Sequence, residues 1–493
     1  MTYLFLFMIF APLLTGLYIL FFESSRRLSK TVSVACSGIV MLISFIFYFL
    51  FDTDNPSFQF VYSVNWIDSL GVSFSFGMDG LSLSLVLLTT ILTFVTLLAL
   101  NYNTEKTKNL FALILLLQTP LIGVFLALDF LLFYVFWELV LIPMYFMILE
   151  WGGANRRYAA IKFFIYTHVG SFMLLLGIIA MFFYKGLNDG EYTLNMLEYL
   201  NYSFPMSFQL IIFPLLFIGF AFKLPLVPFH TWLPDAHVEA PTSGSMLLAG
   251  VMLKMGAYGL IRIGFTIFPE AVQHYAYAIA VLGIISMLYG AFLALAQDDL
   301  KKMIAYSSVS HMGSVVLGLA AWNIYGFNGA AYQLFAHGII SAMLFLVCGI
   351  LQYSFNTRSI SKLGGLAQIV PKLSAFFVFA FMASLGLPGL AGFIAELNVL
   401  IGGFITFGYL LGFALVSLIV TAGYYLWALQ RVFFGPLKEG LSINYHADVN
   451  SNEMSALVIL TILIIFFGVV PGPLIDLFYG VNLEILARIG GIN

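Results

Sequence analysis

The feature that most constrains this chain is a succession of apolar runs, each about 20 residues long, the length a helix needs to cross the hydrocarbon core of a bilayer. The runs fall near 1–22, 31–51, 79–100, 110–127, 130–149, 158–184, 206–228, 243–265, 275–296, 302–321, 329–353, 373–403, 405–430 and 455–479. Of all residues, 62% are hydrophobic and 9% charged, against roughly 25% charged in a soluble globular chain. No soluble fold of this length hides so much apolar surface, so lipid must cover much of it. The expected fold class is an all-α polytopic membrane protein with about fourteen transmembrane helices. Two runs are interrupted: Lys223-Leu-Pro225 with Pro228 breaks the seventh, and Gly386-Leu-Pro388-Gly389 breaks the twelfth. Residues 57–76 are too polar to span, and the alternation of Phe58, Phe60 and Tyr62, then Val72, Phe74 and Phe76, predicts a short surface β-hairpin.

Basic residues set the orientation, because loops on the cytoplasmic side are enriched in Lys and Arg. Alternate loops starting with 23–30 carry fourteen of the twenty, from Arg26, Arg27 and Lys30 through Lys106, Lys108, Arg156, Arg157, Lys301, Lys302, Arg358, Lys362 and Lys372 to Arg431 and Lys438. The opposite loops carry Lys185, Arg262 and Arg488, and Lys162, Lys223 and Lys254 fall inside spans. Both termini are therefore expected outside the cytoplasm. The first run has no basic residue before it and no small-residue cleavage site, so it reads as a retained helix and not as a signal peptide.

A weak internal repeat relates Ala159–Met173 in the sixth run to Ala330–Met343 in the eleventh. The copies are offset by five spans, an odd number, so they would lie in opposite orientation. Two broken helices, one in each half, point to an ion site in inverted-repeat transporters. The domain organisation read from this is 1–109 for the first three helices and the hairpin, 110–265 for one five-helix repeat and 266–434 for the other. Residues 435–493 then form a loop and a last helix.

The net charge of −3 gives no sign of a nucleic-acid partner. The two cysteines, Cys36 and Cys348, are too far apart for a CxxC site, and neither GxGxxG nor a phosphate-binding loop occurs. Nothing visible would hold a nucleotide, flavin or iron–sulfur cluster, and His168, His311 and His337 show no pairing that marks axial haem ligands.

Four of the charges inside apolar runs stand out: Glu138 in the fifth, Lys223 at the break of the seventh, Lys254 in the eighth and Glu396 just after the break of the twelfth. A charge at bilayer depth costs about 2.5–3.5 kcal/mol on insertion scales. A single pair could merely fix helix packing; four charges along the bundle suit proton transfer. A Glu138–Lys223 pair that opened and closed would switch whether the lysine holds its proton. In the tenth run, Ser307, Ser310, His311 and Ser314 recur at helical spacing, and in the eleventh so do Gln333, His337 and Ser341. Such faces can hold water and pass protons; their bland alternative is hydrogen bonding between helices.

Several stretches resemble a known family: Phe136-Trp-Glu-Leu-Val-Leu-Ile-Pro143, Lys223-Leu-Pro-Leu-Val-Pro-Phe-His-Thr-Trp-Leu-Pro-Asp-Ala-His237, Leu253-Lys-Met-Gly-Ala-Tyr258 and Asp299-Leu-Lys-Lys-Met-Ile-Ala-Tyr-Ser-Ser-Val-Ser-His311. They are similar to the antiporter-like membrane subunits of respiratory complex I, the proton-translocating NADH:quinone oxidoreductase, over nearly the whole chain. Glu138, Lys223 and Lys254 match residues common to the family. Glu396 resembles the M-type chain, where L-type, N-type and antiporter relatives typically have lysine.

The resemblance implies two inverted five-helix repeats and proton transfer through Glu138, Lys223, Lys254, His311, His337 and Glu396. It implies no cofactor in this chain, with NADH, FMN, iron–sulfur clusters and quinone handled by partner subunits. L-like and N-like chains are expected on either side, in a bacterial inner (plasma) membrane. A sodium/proton antiporter subunit, or the equivalent subunit of a ferredoxin–quinone or hydrogenase-linked complex, remains the alternative.

Overall fold

The computed structural model describes residues 1–100, 107–438 and 448–490. Thirteen stretches among these are helical, long and apolar enough to cross a membrane. One of them, Ala391–Phe433, turns back on itself at Gly408–Leu410, and the short apolar helix Pro371–Ser384 precedes it. The described residues thus make fourteen spans. Numbered in chain order, spans 1 to 6 are Thr2–Phe21, Arg26–Leu50, Gly80–Ala99, Thr107–Leu126, Phe130–Trp151 and Arg156–Asp189. Span 7 is Met206–Lys223, followed by a separate short helix Trp232–Glu239. Spans 8 to 11 are Thr242–Phe265, Pro269–Leu295, Leu300–Ala320 and Ile324–Phe355. Span 12 is Pro371–Ser384 plus Ala391–Phe407, span 13 is Leu411–Phe433 and span 14 is Ser451–Val469.

Both breaks fall where the sequence has residues that cannot continue a helix. Pro225 and Pro228 supply no N–H after Lys223. After Ser384 the chain passes through Gly386 at φ 79° and Gly389 at φ 90°, a region that favours glycine. The hairpin forms as expected, β1 Gln59–Ile67 pairing antiparallel with β2 Val72–Met78, Tyr62 opposite Phe76 and Val64 opposite Phe74.

The end of the chain differs from the expectation of one span over 455–479. Span 14 stops at Val469, and Pro471 opens a second helix, Gly472–Ile489. That helix carries Asp476, Asn482, Glu484 and Arg488 and buries Asn482 against Asn328, 2.8 Å between side chains. The apolar average over the window hid a break that Pro471 makes.

Spans 3, 8, 10 and 11 are buried along nearly their whole length and form the centre. Close crossings rely on facing glycines, as is common between membrane helices. A Cβ at Gly283 would stand 2.9 Å from Gly313 O where spans 9 and 10 cross, and one at Gly219 would stand 2.9 Å from Gly170 O where spans 6 and 7 cross.

Two residues of the orientation tally, Lys301 in span 10 and Arg358 in the loop after span 11, turn to the short helix Trp232–Glu239. Lys301 is buried and donates to Ala240 O at 2.5 Å, while Arg358 donates to Val238 O at 2.8 Å. Both cap carbonyls at the C-terminal end of Trp232–Glu239, where the helix dipole favours cations. Arg262 is buried in span 8, paired with Asp79, the N-cap of span 3, with the Phe58 ring 4.7 Å from its guanidinium. Lys106 lies outside the described residues.

Candidate proton-transfer site

The centre of the bundle holds an amine, two imidazoles and a carboxyl in sequence. Lys254 sits in span 8 between two π-helical stretches, Leu248–Met252 and Leu260–Phe265. Such widenings free backbone carbonyls and recur at functional sites. Lys254 is fully buried; its Nζ donates to Ala249 O and lies 2.7 Å from His337 Nδ1 in span 11. His337 Nε2 lies 3.1 Å from Ser308 Oγ in span 10. A protonated Lys254 requires Nδ1 to accept, so Nε2 then donates to Ser308. The His337 and His311 rings are 5.4 Å apart, and His311 Nδ1 is 3.5 Å from Glu396 Oε1 and 3.3 Å from Gln333 Nε2.

Glu396 follows the span 12 break, with its Oε2 against Gly386, where no side chain would fit. Two cavities of about 10 Å³ flank it, near the lower bound for one water each. One is lined by His311, Gln333, His337, Ser384 and Glu396, the other by Ser310, His311, Ser314, Ser417, Thr421 and Glu396. His311 Nε2 lies 3.4 Å from Ser384 Oγ, which is 2.7 Å from Tyr425 OH; Tyr425 donates to Ser307 Oγ at 3.0 Å.

Glu138 and Lys223 are not an ion pair within 4.0 Å. Lys223 is buried, donates to Trp137 O at 3.0 Å and lies 3.9 Å from the centroid of the Trp137 ring. Trp137 is itself held by Ser171, to which its Nε1 donates at 3.0 Å. Glu138 instead meets His168, Nδ1 to Oε2 at 3.1 Å, while its Oε1 is buried without a hydrogen-bond partner among the described residues. The His168 side chain is 55% exposed and sits on an outward face with Leu139, Ile142, Phe164 and Ile165.

The structure therefore brings Lys254, His337, His311 and Glu396 into one line and leaves Glu138 and Lys223 on either side of Trp137. The serine stripes behave differently from the sequence reading. Ser307 donates to Ile304 O, Ser310 to Met287 O, Ser314 to His311 O and Ser341 to Gly338 O, so at rest their hydroxyl protons are held by the backbone. The hydroxyls that meet the relay are Ser308, one position off the stripe, and Ser384, at a helix end. The roles of His168, Trp137 and Tyr425 also escaped the sequence reading; only the likeness of the two repeat segments, each of which carries a histidine, could have singled out the first. His230 and His237, part of the motif after the span 7 break, are buried, and His237 stacks on Phe345 at 4.4 Å with both ring nitrogens unpartnered among the described residues.

The chain is similar to known proteins along its length. The profile of the family described as NADH:quinone oxidoreductase/Mrp antiporter, TM, matches residues 127–421. Subunit M of the F(420)H(2) dehydrogenase of Methanosarcina mazei is 42% identical, covering 99% of this chain and 98% of its own length. Subunit M of the NADH-quinone oxidoreductase of Rickettsia bellii is 41% identical over 96% of each. A chain of respiratory complex I from Thermus thermophilus superposes with a TM-score of 0.88 at 29% identity over 99% of both chains. A chain of the Mrp complex from Dietzia shares the fold, with a TM-score of 0.86 at 21% identity over 99% of both. With a buried amine–imidazole–carboxyl line between two broken helices, and with this likeness along its length, the chain belongs to the transmembrane NADH:quinone oxidoreductase/Mrp antiporter family.

Proposed function

We propose that this chain is the M-type, proton-translocating antiporter-like subunit in the membrane arm of a complex I-like oxidoreductase. The observation that carries the reading is the line Lys254–His337–His311–Glu396, buried at the centre of an apolar bundle, with 2.7 Å at one end and 3.5 Å at the other. Each group can take up and give up a proton, and a water in either flanking cavity would shorten the wider steps. Lys223 and Glu138 act upstream: rotation of Glu138 from His168 toward Lys223 would hold the lysine charged, and its return would release the proton toward Lys254.

The chain carries no redox chemistry in this reading. NADH, FMN, iron–sulfur clusters and quinone belong to partner subunits, and quinone reduction there drives the relay. The Glu138–His168 pair favours lateral neighbours, because a polar pair whose imidazole is exposed at bilayer depth is costly against lipid. L-like and N-like chains on either side are the partners proposed, with a bacterial inner membrane as location and both termini outside the cytoplasm.

The similarity to an F(420)H(2) dehydrogenase subunit favours a second reading of the donor alone: the same subunit in a complex with a reductant other than NADH. Purifying the complex through a tag on this chain tests both. Co-purification of L-like and N-like chains, with quinone reduction supported by NADH or by another donor, decides the assembly and the donor; a chain isolated alone with sodium-dependent antiport would overturn the proposal.

A further inference from the structure

We propose that Tyr425, with Ser384 and Ser307, forms a second proton-carrying arm of the site. It runs from His311 toward the end of the bundle that bears residues 354–372, and rings of Phe377, Phe381 and Phe433 close it in this structure. The inference rests on the proton-translocating reading above and adds a branch to it.

Tyr425 comes from span 13, which contributes nothing to the Lys254–Glu396 line. Its side chain is fully buried, yet its hydroxyl has a polar group on each side: Ser384 Oγ at 2.7 Å and Ser307 Oγ at 3.0 Å. Ser384 in turn lies 3.4 Å from His311 Nε2, on the opposite side of the imidazole from the nitrogen facing Glu396. The order is thus Glu396, His311, Ser384, Tyr425, Ser307, drawn from spans 12, 10 and 13. Ser307 is one helical turn from His311 toward Leu300, and Leu300 N donates to Arg358 O at 3.0 Å. The branch therefore leads away from the hairpin end.

A buried tyrosine needs one partner to satisfy its hydroxyl. Two, with a titratable imidazole at the far end, make a chain in which every hydroxyl can accept one proton and pass on another. In one transfer His311 takes a proton from Glu396 on Nδ1 and gives the one on Nε2 to Ser384 Oγ, Ser384 gives its own to Tyr425, Tyr425 gives its own to Ser307, and Ser307 turns from the Ile304 carbonyl, which accepts it at 2.7 Å, to give its own to a water. One proton moves, each hydroxyl ends with the number it began with, and rotation of the hydroxyls resets the chain. The packing beyond is dry. The Phe381 ring lies 4.6 Å from that of Tyr425, Phe377 lies 4.8 Å from Phe381, and Phe433 lies 4.9 Å from Phe377. All three are buried, so water reaches Ser307 only when this cluster parts. The inverted repeat gives an independent reason for the position: Tyr425 lies near the middle of the last span of its repeat, as Lys254 does in span 8.

Tyr425→Phe keeps the ring and its packing and removes the hydroxyl. In the assembled complex reconstituted into vesicles, proton translocation is expected to fall about tenfold or more, a modest share of the roughly 10²-fold or larger effect of a positioned proton-transfer group. Quinone reduction with an uncoupler present should persist. Ser384→Ala should give the same loss, and the double variant should be no worse than either alone, since both cut one chain. A double variant worse than both would overturn the arm. Wild-type translocation in Tyr425→Phe with loss in His337→Phe would overturn the arm and leave the main line standing; wild-type translocation in both would remove the proton-translocating reading itself. If Tyr425→Phe does not assemble, Ser384→Ala decides alone, with loss supporting the arm and normal translocation overturning it.

Discussion

Lys254 Nζ and His337 Nδ1 lie 2.7 Å apart in a site from which solvent is excluded, and the Ala249 carbonyl accepts from the same amine. The contact matters because a proton can rest on either nitrogen without a change in the bundle around it. Lys254→Arg tests whether that exchange is used. An arginine keeps the positive charge and does not give up its proton in proteins. Proton translocation in reconstituted vesicles is expected to be lost while the complex still assembles; translocation equal to wild type would mean deprotonation at 254 is not part of the cycle.

Glu138 is held by His168, and this makes the two separable. Glu138→Gln is expected to abolish translocation and most coupled quinone reduction. His168→Gln keeps a hydrogen bond to Glu138 within reach and should have a milder effect, a lower maximal rate with the proton-to-electron ratio retained. Equal, complete losses in both variants would show that the imidazole itself carries the proton.

Gly386 and Gly389 both have positive φ, 79° and 90°, but only Gly386 faces the Glu396 carboxyl. Gly389→Ala meets nothing within 4 Å and should cost about 1 kcal/mol of local strain. Gly386→Ala adds a collision with Glu396 Oε2 and should also displace the carboxyl from His311. The expected outcome is normal translocation for Gly389→Ala and a marked loss for Gly386→Ala, read alongside the thermal midpoint of each complex. Loss in both would point to the break as a hinge.

Much of the fold was legible because bilayer physics leaves a coarse signature: length, apolarity and the residues that interrupt them. Pro225, Pro228 and Gly386 mark the breaks, and strict alternation marks the hairpin. The four charges stood out for the same reason, since each is costly where it lies. Partner choice was not legible. Nothing in the sequence says that Lys223 turns to the Trp137 carbonyl and ring and Glu138 to His168. Helical spacing placed Ser310, Ser314 and Ser341 on polar faces, yet a serine in a helix can satisfy its hydroxyl on a nearby carbonyl. Ser384 and Tyr425 had no periodic signal, because one ends a helix and the other stands in an apolar span beside Tyr424.

Orientation has its own test. Asn65 on the hairpin and Lys362 in the opposite loop are both exposed. Replaced singly by cysteine, position 65 should be labelled by an impermeant thiol reagent on intact cells and position 362 only after the membrane is opened. The reverse pattern would invert the orientation drawn from the basic residues.

The central claim is that protons cross this chain by way of the Lys254–His337–His311–Glu396 line, and the proton-to-electron ratio of His337→Phe tests it most directly. Phenylalanine fills nearly the same space and removes both nitrogens, so the amine of Lys254 loses its contact with the His337 imidazole. In proteoliposomes the ratio of protons moved to electrons passed to quinone is expected to fall below wild type while uncoupled quinone reduction continues. A wild-type ratio in His337→Phe would contradict the account.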